Sequence, residues 1–143
     1  MSRVDFYILQ SNDSHILLNF ACRLTEKAYR MKHCIFIRTE SLHQRKLIDD
    51  LLWTFRPGSF VPHDIWNGSN DQPAPVLVGC DINPPTNYKT VLNLAPTLAH
   101  EPCQFERIIE IVNQTETIRN SARQRYREYQ GRGYTMSTHD IQS

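Results

Sequence analysis

Glycine is scarce in this chain, with five in 143 residues, and the first stands at position 58. That scarcity excludes the phosphate-binding turns that open most nucleotide-binding α/β domains. Both GxGxxG and GxxxxGK[ST] rely on glycine because backbone amides must approach phosphate closely, where a side chain would block them. Long apolar runs are also missing, and none nears the roughly 20 residues that span a bilayer. The opening MSRVDFYILQSND carries one positive charge and too short an apolar stretch for a secretory signal, so a cytoplasmic protein is expected. Cys22, Cys34, Cys80 and Cys103 are scattered without a CxxC pair and read as free thiols of a reducing compartment.

Metal and nucleophile patterns are equally thin. Glu101-Pro102-Cys103 matches part of the zinc deaminase signature, but Glu106 stands where its second cysteine belongs. His100 and Cys103, with Cys80 distant, make a weak ligand set, and His15, His33, His43, His63 and His139 form no local pair at ligand spacing. A Cys–His nucleophile would have to be assembled by the fold. Asp81 follows the apolar run Val76-Leu-Val-Gly-Cys80 as a magnesium-holding Asp does in ATPases. Without a phosphate loop it reads as a turn residue. No catalytic residue, metal or cofactor is expected.

What the chain does have is hydrophobic order. Residues 4–9 (VDFYIL) form a short β-branched and aromatic run ended by Ser11-Asn12-Asp13, the pattern of a buried strand. Ile16, Leu17, Phe20, Ala21, Leu24 and Ala28 then recur at helical spacing, predicting a helix over 14–31. Residues 34–37 read as a second strand, and Ser41-Leu-His-Gln44 as a capping box opening a helix with Leu47, Ile48, Leu51 and Leu52 on one face. This β-α-β-α start predicts a single Rossmann-like α/β domain, a mostly parallel sheet flanked by helices without a nucleotide-binding loop. Further strands are predicted over 76–79, 90–94 and 108–112. Asn113-Gln-Thr-Glu116 looks like a second capping box, opening a last helix that runs to about Gln130. The domain is expected over 1–136, with 137–143 a polar tail.

Two stretches look suited to partners. Net charge is only +1, yet residues 119–132 hold five arginines against Glu128, or +4, leaving −3 for the rest. Arg119, Arg123 and Arg127 recur every fourth residue with Tyr126 among them. Arginine forks fit carboxylates and tyrosine offers an apolar wall, so the stripe suits an acidic peptide ending in an apolar residue with a free carboxylate. A plain solvated basic face would read the same. The other stretch is 53–65 (WTFRPGSFVPHDI), where Trp53, Phe55, Phe60, Val61 and Ile65 lie among Pro57, Gly58 and Pro62. A long loop this rich in apolar residues serves either as a docking patch or as a lid on the core.

These places carry a resemblance. Phe6–Leu9 (FYIL), Leu52-Trp53, Ser59-Phe-Val-Pro-His63 and Ala122-Arg-Gln-Arg-Tyr-Arg-Glu-Tyr129 with Gly133 resemble, in this order, the chi subunit of bacterial DNA polymerase III. Residues 67–99 contribute little to it. The resemblance implies a non-catalytic replication subunit that forms a heterodimer with psi, is tethered through psi to the clamp loader, and binds the acidic C-terminal tail of single-stranded DNA-binding protein (SSB). It implies an SSB-tail site at Arg123, Tyr126 and Arg127 with Val112 nearby, and a psi surface at Trp53 and Phe60 with Val61 and Pro62. The family often has lysine at the position of Arg127. The alternative from another class is a degenerate nucleotide-binding or helicase-like domain that contacts nucleic acid directly.

Overall fold

Five short strands are apolar on both sides, so each must be covered on both faces of a sheet, and helices close the layers on either side. The computed structural model describes residues 2–99 and 102–142. Seven strands form one all-parallel sheet: β1 (Arg3–Leu9), β2 (Ile35–Thr39), β3 (His63–Ile65), β4 (Val76–Cys80), β5 (Thr90–Asn93), β6 (Arg107–Val112) and β7 (Thr135–Ile141). Their spatial order is β3-β4-β2-β5-β6-β1-β7. Helices α1 (Ser14–Arg30) and α2 (Leu42–Thr54) cover one face, packing Leu17, Ala21, Ile48 and Leu52 onto Ile35, Ile37, Val76, Val78 and Ile109. Helix α3 (Glu116–Gly131) covers the other, where Ala122 and Tyr129 join Val4, Phe6, Phe36, Leu77, Val91, Ile108 and Val112.

Local chemistry explains the helix starts. Asp13 caps α1 by accepting a hydrogen bond from the His15 backbone N–H at 2.8 Å. Its carboxylate thus sits where a phosphate loop would present bare amides. Ser41 caps α2 through the Gln44 N–H at 3.1 Å, and the Gln44 side chain accepts from the Glu40 N–H at 2.8 Å, one residue short of the usual reciprocal bond. The second expected box does not form. Asn113 instead accepts from the Thr115 N–H at 3.0 Å, and Thr115 precedes α3 without a side-chain cap bond. Asn113 ends a buried strand and turns back on its own loop, which removes it from the helix start.

Two further expectations are corrected. Residues 137–141, expected in a polar tail, belong to β7, which pairs with β1 from Arg3↔Thr135 to Leu9↔Ile141. The segment has no apolar alternation because it lies on the sheet edge, where pairing with β1 supplies what side-chain burial does not. The loop after α2 contains the short strand β3, three residues laid against β4. His100 and Glu101 of the weak zinc spacing, and Ser143 of the tail, lie outside the described residues.

Candidate functional site

The arginine-bearing face of α3 borders a groove of about 280 Å³ against β1, β6 and β7. Phe6 and Ile8 of β1, Val112 of β6 and Ala122 and Tyr126 of α3 give it an apolar lining, while Arg119, Arg123, Gln114 and Thr138 supply polar groups. Arg119 and Arg123 are exposed, and Tyr126 is half-buried with its ring 5.3 Å from Phe6. The fold therefore brings together three of the residues expected for the SSB tail: Val112, Arg123 and Tyr126. Arg127 is exposed but does not line the groove. At about 100° per residue, a step of four residues drifts by about 40°, so Arg127 points about 80° away from Arg119. The groove follows the i, i+3, i+4, i+7 face instead, which brings in Arg119.

Two of the five arginines counted as positive surface are spoken for. Arg125 is buried and paired with fully buried Glu110, its Nε lying 3.2 Å from Oε1. Glu110 also accepts hydrogen bonds from the Tyr129 hydroxyl at 2.7 Å and the Asn93 amide at 2.9 Å. Burial pushes the Glu110 carboxyl above the ordinary carboxylate range, against the opposing pull of Arg125, Asn93 and Tyr129. Arg38 extends the network through Asn93 at 2.9 Å and Thr97. This cluster bolts α3 to the sheet and so fixes where Arg119, Arg123 and Tyr126 stand. At the end of α3, Arg132 pairs with Glu128 at 2.9 Å.

The second surface lies at the end of α2. Trp53 is 54% exposed and Phe60 67%, and their rings approach to 6.1 Å. His63 braces Trp53 from beneath at 4.5 Å, and its Nδ1 is 2.7 Å from the Val61 carbonyl. Pro62 is half-buried. Val61, expected in the psi surface, is 1% exposed and packs in the core with Ile48 and Leu52, so its side chain is closed to a partner. The loop is anchored to α1 by buried Glu26, which accepts hydrogen bonds from Ser59 and from Arg56 at 2.8 Å, and also pairs with Arg30 at 3.4 Å. Burial pushes the Glu26 carboxyl up, but the Ser59 hydrogen bond and the Arg30 and Arg56 charges outweigh it and hold the group below its ordinary range.

Against known proteins, residues 1–137 match the family model described as DNA polymerase III chi subunit, HolC. The chain belongs to this family. It is similar to the DNA polymerase III subunit chi of Pseudomonas aeruginosa, 36% identical over 142 residues that cover 99% of this chain and 98% of that one. Identity is 28% with the chi subunit of Haemophilus influenzae, covering 95% of each, and 24% with that of Escherichia coli, covering 96% and 97%. Among solved structures, that of T4 UvsW superposes with a TM-score of 0.69 at 8% identity, covering 97% of this chain and 41% of that one. At so low an identity the likeness concerns the fold alone.

Membership of the chi family makes the chain a subunit type of DNA polymerase III, in DNA replication. Some groove residues escaped the sequence reading. Phe6 and Ile8 stand two apart on β1, so the period-2 pattern put them on one face, but nothing in the sequence said that α3 crosses that face. Thr138 was hidden in the supposed tail. Among the described residues, no helix is long and apolar enough to cross a membrane, and no three His, Cys, Asp or Glu cluster as a metal site would need.

Proposed function

We propose that this protein is a non-catalytic, cytoplasmic adaptor of the replicative polymerase, linking the clamp loader, through psi, to the C-terminal tail of SSB. The observation that carries the reading is the α3 groove, an apolar trough with two exposed guanidinium groups beside it. An acidic tail ending in an apolar residue needs both parts. The terminal side chain fills the space beside Phe6, Val112 and Tyr126, and the terminal carboxylate accepts from Arg123, with Arg119 one turn back. Arg127 adds long-range attraction for the acidic residues upstream. Trp53 and Phe60, exposed and in ring contact, suit an apolar partner such as psi. Each contact can be weak, because binding one partner raises the effective concentration of the other.

Isothermal titration with a synthetic SSB-tail peptide tests the groove. Arg123→Ala is expected to weaken binding by about 1.5–3 kcal/mol, the cost of losing a charge-assisted hydrogen bond, with the melting temperature unchanged. Amidating the peptide's C-terminus is expected to weaken the wild-type complex comparably and the Arg123→Ala complex hardly at all. Equal binding of amidated and free-acid peptides to wild-type protein would remove the groove from the SSB-tail assignment.

A further inference from the structure

A concavity larger than the α3 groove lies elsewhere. It measures about 850 Å³ and opens between the C-terminal end of α1 and the amino ends of β1, β5 and β6. Arg3, Lys27, Lys32, Lys89 and Arg107 line it, and Glu106 is the one carboxylate among its described lining residues. Arg3 and Arg107 share Asp5, at 3.3 and 2.8 Å, and so are partly neutralised. Lys27, Lys32 and Lys89 are exposed and form no ion pair with a described residue. Three lysines without an ion pair to a described residue thus face one groove, from α1, the turn after it and the loop before β5, in a protein of net charge +1.

The position of Lys32 is independent support. Helix α1 ends in a Schellman turn, with the Lys32 N–H bonded to the Tyr29 carbonyl at 2.9 Å and the His33 N–H to the Ala28 carbonyl at 3.0 Å. The residue just past the cap then adopts a left-handed backbone, here φ 64°, where glycine or asparagine is usual. A lysine in that place accepts an unfavourable backbone conformation and carries its ammonium group to the groove.

We propose that this groove binds the phosphate backbone of single-stranded nucleic acid. Separate ammonium groups on flexible stems act as point charges and suit a chain of repeated phosphates. The α3 groove is different, with guanidinium forks beside an apolar trough that fits one terminal carboxylate. Tyr7 lines the basic groove but already stacks on His139, with ring centroids 4.7 Å apart, so recognition runs through the backbone and is indifferent to sequence. The site shares no residue with either partner surface. On β1, Tyr7 of the basic groove stands between Phe6 and Ile8 of the α3 groove, so the two grooves open on opposite faces of the sheet. Bound together, the two would hold the protein to an SSB tail and to the strand that SSB coats.

Fluorescence anisotropy with a labelled oligothymidine about twenty nucleotides long, at about 20 mM salt, tests this on the full chain. Wild-type protein is expected to bind in the micromolar range and to release the strand as salt rises. Combining Lys27→Ala, Lys32→Ala and Lys89→Ala should lower affinity at least tenfold. It should also flatten the logarithmic salt slope by about 2, at about 0.7 for each phosphate no longer neutralised. Lys32→Gly separates a binding role from a structural one, because it should weaken binding without lowering the melting temperature. Arg119→Ala with Arg123→Ala should leave oligothymidine affinity within twofold while abolishing SSB-tail binding, so each reading can fail alone. The proposal is overturned by absence of binding at about 100 μM protein, near the weak end of non-specific affinities, or by unchanged affinity of the triple variant. It is equally overturned if a polyglutamate peptide of matched charge binds as tightly, since the ligand is then an acidic protein.

Discussion

The α3 groove and the Trp53–Phe60 surface present opposite chemistry on the same kind of support. The first offers guanidinium groups beside an apolar trough, the second two exposed aromatic rings. Under each sits a buried carboxylate that receives an arginine and a hydroxyl: Glu110 takes Arg125 and Tyr129, and Glu26 takes Arg56 and Ser59. The supports differ in depth. Glu110 is sealed from solvent together with its arginine, whereas the arginines of Glu26 reach into water. A deep carboxylate fixes a helix as part of the global fold, and a shallow one holds a loop that can open by itself.

That contrast is most sharply tested by removing the deep support. Glu110→Ala leaves Arg125 buried without a counter-charge and is expected to destabilise the whole domain by about 3–5 kcal/mol, read from urea unfolding. The SSB-tail and psi activities should then fall together. Truncating an exposed anchor should do the reverse. Phe60→Ala is expected to cost about 2 kcal/mol of psi affinity while unfolding and SSB-tail binding stay unchanged, because the ring is mostly in solvent before the partner arrives. A lowered melting point with loss of both partners would reveal Phe60 as a support rather than a contact.

The smallest effect belongs to the shallow carboxylate. Glu26→Gln keeps the shape and removes the charge, so amide exchange should quicken in residues 55–62 and leave α3 untouched. The pH dependence follows from the lowered folded-state value. The ionised Glu26 contributes stability that is fully present above its ordinary unfolded value and is lost as pH falls through the lower folded one. The stability gap between wild type and Glu26→Gln should therefore close on acidification. Glu110 titrates in the opposite sense. Its folded value is raised, so the folded state holds the proton longer, and its contribution declines as pH climbs from the unfolded value through the folded one.

Much of the layout was legible in the chain because local and tertiary preferences agree. The strands β1, β2, β4, β5 and β6 are apolar whatever surrounds them, and Asp13 and Ser41 cap their helices by bonds to residues two and three positions away. What stayed hidden depends on distant partners. β7 has no strand pattern of its own and forms because β1 pairs with it. Arg125 looked like one more surface cation because Glu110, fifteen residues away, reads in sequence as one residue of an apolar run. Val61 and Phe60 are adjacent and equally apolar, and only the direction of the backbone sends one inward and leaves the other out.

The strand order has a consequence for how the protein comes off the ribosome. β1 precedes the other described strands in the sequence, and its neighbours in the sheet, β6 and β7, follow all of them. Roughly a hundred residues must emerge before β1 finds either of them, at a synthesis rate of about 5–20 residues per second. During those seconds the nascent strand exposes Val4, Phe6 and Leu9 with both hydrogen-bonding edges unpaired, while β2 and β4 can already associate with α1 and α2. The chain thus emerges as a half-built sheet in which β1 stays unpaired until β6 and β7 follow.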